Sequence, residues 1–412
     1  MIFFKRFIFN EIFVDIRNIN IYTMKTFSKF TVGTLIISIS LIIACSTKNT
    51  SIREESYSLV KVDSFQVNNF TRIGIRDYSP KEKIYLGYSS NEDDILEISE
   101  SGEILKRTHK KGDGPGNYGN MNPVGLSFGP NDERIVELPF QVIAYDRNYE
   151  IINSHRIMSP LPIRTNSPIG TTPYYQRNDS TLLLVGPTNY LSASYLIINK
   201  EGKDTLQNFY QLNLQSGAVK SIIPYEETSV YKLTEDIYPG VMGKSFTIDH
   251  DAKELAIIQE LDNKILIYSL PELTLKTSIP ISYSEFLSYG PVPIGTPFDD
   301  PRALNVGRLS ARNQNLFKIG KDHFLLSYFT GVTGAEFENR NSEEKPYSAI
   351  QDVSEKRILI FKNKKQIGIE LPGIKGIIIT SLPDNKILVQ EPENPDLEEE
   401  FTKFSIYQLK EN

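Results

Sequence analysis

The chain has 412 residues, 45 Lys and Arg against 51 Asp and Glu, a net charge of −6 at pH 7, and a single Cys. An acidic balance without a basic stripe excludes nucleic acid as a surface-attracted partner, and a lone thiol excludes an intramolecular disulfide framework. Twenty-two Tyr, 22 Phe and abundant Ile suit strands, while 25 Gly and 23 Pro suit many turns, so an all-β class is expected.

Taken in order, residues 24–45, MKTFSKFTVGTLIISISLIIAC, have the three-part layout of a signal peptide. Lys25 and Lys29 form a positive start, residues 31–44 are mostly apolar, and the small Ala44 precedes Cys45. The run is shorter than the roughly 20 apolar residues a spanning helix needs. Ile42-Ile43-Ala44-Cys45 resembles the lipobox of bacterial lipoproteins. That resemblance implies removal of 24–44, acylation at Cys45 and attachment to a membrane through the N-terminal lipid. Each buried CH2 adds about 0.8 kcal/mol, so a multiply acylated terminus holds durably. Residues 1–23 fit poorly ahead of such a signal, so translation is expected to begin at Met24, with 1–23 an upstream extension. Loss of residues 1–44 takes away five basic and two acidic residues, leaving 40 against 49 and a net charge of −9. Ser46 stands where an aspartate would imply inner-membrane retention in many lipoproteins, so the resemblance favours the outer membrane. A periplasmic-facing and a surface-exposed placement both stay open. Residues 45–56 are polar and aperiodic and read as a flexible tether.

From residue 57 to 412 the chain repeats short β runs separated by turn clusters at a period of about 45–60 residues, the period of propeller blades. The first blade is expected at 70–77, 83–88, 94–99 and 104–109, and the second at 124–128, 134–138, 142–146 and 151–156. The third is read at 174–177, 181–185, 195–199 and 205–210, and the fourth at 245–249, 254–260, 264–269 and 273–279. The fifth takes 316–319, 323–329, 357–361 and 366–370; the sixth takes 376–381, 386–390 and 404–409 and is one strand short. Residues 57–65, YSLVKVDSF, are expected to supply the missing strand, closing the ring and hiding two sheet edges.

Gly112–Pro123, GDGPGNYGNMNP, and the ending NPDLEEEFTKFSIYQLK resemble segments of six-bladed, TolB-like propeller lipoproteins of Gram-negative bacteria, a largely uncharacterised family. The resemblance implies a six-bladed β-propeller and an envelope location, and supplies no catalytic residues.

Several motifs invite chemistry and are better read as structure. Gly125-Leu126-Ser127-Phe128-Gly129 spells a nucleophile elbow, but Pro130-Asn131-Asp132 follows where a helix is required, so Ser127 is expected in an inner strand. Gly114–Gly119 spells G-x-G-x-x-G without a helix after it, and reads as a connection between blades. His109, His155, His250 and His323 form no zinc-spaced pair, and Asp249-His250-Asp251 reads as a turn. Glu92-Asp93-Asp94 and Glu398-Glu399-Glu400 lack the alternating ligands and tight glycine of a calcium loop. No cofactor motif, metal-ligand set or catalytic set is legible.

Inserts at 159–173, 224–244 and 284–315 are rich in Gly, Pro and aromatics, and connections this long are usually functional or disordered. Blade-to-blade connections gather on one face of a propeller. Tyr225, Tyr231, Tyr238, Phe286, Tyr289 and Phe298, with Arg302, Arg308 and Arg312, are the candidate platform for a glycan or a protein. Equally, these aromatics could plug the hub. The leading expectation is a lipid-anchored envelope propeller that binds or scaffolds a protein or glycan without catalysis. The alternative is an envelope enzyme on the same fold, a glycan hydrolase or lyase or a metal-dependent lactonase-like hydrolase.

Overall fold

Turn chemistry at 8–12-residue spacing and β-branched or aromatic runs between the turns give antiparallel hairpins throughout the computed structural model. It describes residues 56–157, 170–185, 209–297, 299–344, 346–394 and 399–412. Expectations for residues 1–55 (Cys45 included), the strand at 195–199 and Phe298 lie outside these.

The strands form six four-stranded antiparallel sheets, a six-bladed β-propeller as expected. The first strand, β1 (Tyr57–Asn68), stands apart from the blade that follows it. Blade 1 comprises β2–β5 at Ile73–Ser79, Ile84–Ser89, Asp94–Ser99 and Ile104–His109. Blade 2 comprises β6–β9 at Gly125–Phe128, Arg134–Leu138, Gln141–Tyr145 and Ile151–Arg156. Blade 3 comprises β10–β13 at Tyr174–Arg177, Ser180–Val185, Phe209–Asn213 and Val219–Ile222. Blade 4 comprises β14–β17 at Lys244–Asp249, Glu254–Gln259, Lys264–Ser269 and Leu275–Pro280. Helix α1 (Pro301–Leu309) precedes blade 5, whose strands β18–β21 are Arg312–Ile319, His323–Phe329, Lys356–Lys362 and Lys365–Pro372. Helix α2 (Gly334–Arg340) lies between β19 and β20. Blade 6 comprises β22–β24 at Ile377–Leu382, Lys386–Gln390 and Phe401–Glu411, and β1 is its outermost strand.

Ring closure runs through eleven residue pairs from Tyr57↔Glu411 to Asn68↔Phe401, longer than the expected 57–65. Two edges that would template aggregation are thereby paired with each other. Burial follows position in the blade. Second strands such as β3, β7 and β15 are buried at every residue, because adjacent blades cover both faces. Outer strands are mostly exposed or half-buried, and β5 alternates between the two along its length.

Blade 3 departs from the expected pattern. Its last two strands are Phe209–Asn213 and Val219–Ile222, not 195–199 and 205–210. The register is set by the hairpin turn after Asn213, whose Oδ1 accepts from the backbone N–H of Gln215 and Ser216 while Gly217 takes φ +72°. Leu212 then pairs with Leu183 and both are buried.

Candidate functional site

The first strand of each blade lines the axis, and three of the six carry a β-bulge at a matching place. In β2 the register shifts between Ile75 and Asp77, in β18 between Asn313 and Asn315, and in β22 between Ile378 and Thr380. Strands β6, β10 and β14 pair without a shift. A bulge leaves one residue without a cross-strand partner and re-aims its side chain. Those residues are Arg76, Gln314 and Ile379, on the neighbouring blades 1, 5 and 6.

Each of them lines an axial cavity. A cavity of about 870 Å3 holds Arg76 and Ile379 together with Arg72, Lys356, Lys375 and Ile377. An adjoining cavity of about 350 Å3 holds Gln314 with Glu260, Arg312 and Asn315, and shares Lys356, Gly376 and Ile377 with the first. Both lie where the inner strands begin, which is the face that receives the blade-to-blade connections. A third, of about 590 Å3, lies where the inner strands end and meets the first at Ile379.

Charge at the mouth is of opposite sign to the molecule as a whole. Arg72 is exposed and pairs with Glu393 at 2.8 Å. Arg76 is enclosed, and burial, with Arg72 beside it, pushes its guanidinium down from the ordinary value. Among the described residues it has no carboxylate partner: Nε is sealed off without a hydrogen bond, and Nη1 makes only a long 3.4 Å contact with the carbonyl of Ile75. A guanidinium stays protonated all the same. Gly74 makes room for it, since a Cβ there would stand 2.5 Å from Nη2. Lys356 is pushed down by burial, with Asp352 opposing. Glu260, at the inner end, has an Oε2 enclosed without a partner. Burial raises its carboxyl to about 7, against the opposing pull of Arg312 and a backbone N–H of Gly243.

The platform candidates fall elsewhere, most of them into the packing. Tyr225 and Tyr231 are buried and stack at 4.7 Å, with Tyr238 edge-on to Tyr231 at 5.5 Å. The Tyr225 hydroxyl donates to the Met242 carbonyl at 2.7 Å, and that of Tyr231 to the Val241 carbonyl. These rings, with Phe286 and Tyr289 partly buried against them, join side chains of blades 2 and 3 and of α1 in one apolar cluster. Arg302 is exposed and paired with its helix-capping neighbour Asp300, and Arg308 is exposed in the last turn of α1. Arg312 is buried and donates to the Gly307 carbonyl at 2.7 Å and the Gly240 carbonyl at 3.4 Å, tying α1 to the 224–244 insert. Of the described members of this set only Arg312 lines the mouth.

The remaining motifs are structural. Ser127 sits in β6 and donates to the Thr172 carbonyl at 2.8 Å. His250 occupies the turn after β14, 5.0 Å from the Tyr174 ring. Asp93 and Asp94 are engaged by Lys111 and Arg107 at 2.9 Å. Sequence reasoning missed Arg72, Arg76, Glu260, Gln314 and Lys356. The available signal was charge, Arg72 and Arg76, inside a stretch read as an inner strand.

No family model matches the chain, and no curated protein matches it in sequence. Solved structures do resemble it. A member of the DUF4221 family from Bacteroides vulgatus superposes with a TM-score of 0.64 at 14% identity, covering 87% of this chain and 100% of that one. An exported protein from Bacteroides fragilis gives a TM-score of 0.46 at 13% identity over 89% and 98% of the two chains. At such identities the first likeness establishes the propeller fold and nothing finer.

Proposed function

We propose that this is a lipid-anchored cell-envelope propeller that binds a ligand at the axial mouth of its loop-bearing face, without catalysis. The observation that carries the reading is Arg76, a half-buried guanidinium whose Nε is sealed without a hydrogen bond and which has no carboxylate partner among the described residues, facing a cavity. Burying an unpaired charge costs several kcal/mol, and such costs are retained where a ligand supplies the missing partner. The 224–244 insert and α1 close the hub over blades 2 and 3, so Tyr225, Tyr231 and Tyr238 act as a plug rather than a platform. The lipobox resemblance at Cys45 supports the anchor, and Ser46 after it supports the outer membrane.

Ile377 is 57% exposed at the mouth, and a tryptophan there would obstruct it. The parent and an Ile377→Trp variant are incubated with envelope extract, and retained small molecules are released and identified by mass spectrometry. A compound enriched on the parent and lost from the variant supports the reading; identical profiles refute it.

A second reading, an envelope enzyme, is favoured by Glu260 alone, because a carboxyl poised near neutrality in a cavity suits proton transfer. A Glu260→Gln variant that keeps ligand affinity and loses turnover would establish it.

A further inference from the structure

We propose that the mouth takes a monocarboxylate with an aliphatic body, its carboxylate on Arg76 and its chain against Ile377, Ile379 and Val353. The inference rests on the binding reading above and names the ligand's chemistry.

Three observations define that chemistry. Arg76 is one enclosed cation without a counter-ion among the described residues, while its neighbour Arg72 is already neutralised by Glu393 at 2.8 Å. A guanidinium fork without a counter-ion matches a planar carboxylate. The wall beside it is aliphatic: Ile377, Ile379 and Val353 line the same cavity, and Ile377 leaves more than half its surface uncovered. A sugar would call for exposed aromatic faces, and Tyr225 and Tyr231 are buried in the hub. A phosphate dianion would draw on Lys356 and Lys375 as well, which line the same cavity, and the titration below separates it from a carboxylate. Gly74 is the enabling residue, since its missing side chain lets the guanidinium lie against β2.

The test is calorimetric titration of the unlipidated Cys45→Ser chain with octanoate, octanamide, acetate and inorganic phosphate. Octanoate is expected to saturate one site, with the other three at least about 10-fold weaker, a difference of about 1.4 kcal/mol. Arg76→Gln is expected to weaken octanoate at least about 10-fold without lowering Tm, because it removes an unpaired buried charge. Gly74→Ala is expected to do the same by displacing the guanidinium, and Ile377→Asp by removing the aliphatic wall. Octanamide or phosphate binding as well as octanoate, or octanoate binding untouched by Arg76→Gln, overturns the inference. Absence of octanoate binding, with envelope compounds still lost from Ile377→Trp, overturns this chemistry and leaves the wider reading standing.

Discussion

Arg134 shows how single residues hold neighbouring blades together. It is 2% exposed, donates from Nε to Glu97 at 2.8 Å and from Nη2 to Glu82 at 3.0 Å, and lies over the Phe128 ring. Both carboxylates belong to blade 1 and the arginine to β7 of blade 2, so the ion pairs cross a blade interface. Removing one partner of a buried set strands the others, so Arg134→Ala is expected to cost about 3–5 kcal/mol in urea unfolding. A loss within 1 kcal/mol would count against this account. Glu260 makes a pH prediction. Its folded carboxyl is raised to about 7 from an ordinary 4.5, so the native state favours the protonated form. Its contribution is therefore fully present below about 4.5 and is lost as pH rises through about 7. A rise of that size corresponds to roughly 3 kcal/mol. Relative to the parent, Glu260→Gln should gain in Tm from about pH 4.5 to about 7 and level off above it, and a constant difference across that range would refute the assignment.

Elements carry the closure and the bulges. β1 contributes Tyr57 and Val67 to the core and covers the edge of β24 along its length. Deleting 57–68 is expected to abolish cooperative melting and to promote aggregation, since an eleven-residue edge is left open. A truncated chain with the parent's melting curve would refute the closure. Strands β4 and β5 were legible to the residue because hairpin turns and period-two alternation are local signals. The inner strand β2 was read three residues early, at 70–77 instead of Ile73–Ser79. A bulge breaks the two-residue period, so the pattern that locates other strands fails where Arg76 is presented. The 330–355 stretch between β19 and β20 likewise escaped notice, and it brings Gln351 and Val353 to the mouth beside Lys356 at the start of β20.

At the scale of the molecule, a net charge of −9 on the expected mature chain surrounds a mouth that gathers Arg72, Arg76, Lys356 and Lys375. Such a reversal focuses the field on the opening and draws anions there at low ionic strength. Cys45→Ser is expected to shift the protein from the membrane pellet to the soluble fraction and to abolish incorporation of labelled palmitate; unchanged partition would refute the lipid anchor. By itself the sequence determined the six-bladed ring and its closure by the N-terminal strand, because turn residues and alternation are set within a few residues of chain and recur at the blade period, leaving the last blade one strand short. It left the aromatic inserts undecided, and only the tertiary structure placed Tyr225 and Tyr231 in a cluster with side chains of blades 2 and 3. It was silent on the mouth for the same reason. Arg76, Lys356 and Ile377 are separated along the chain by turns of the ring, and a cavity between blades exists only once the ring has closed.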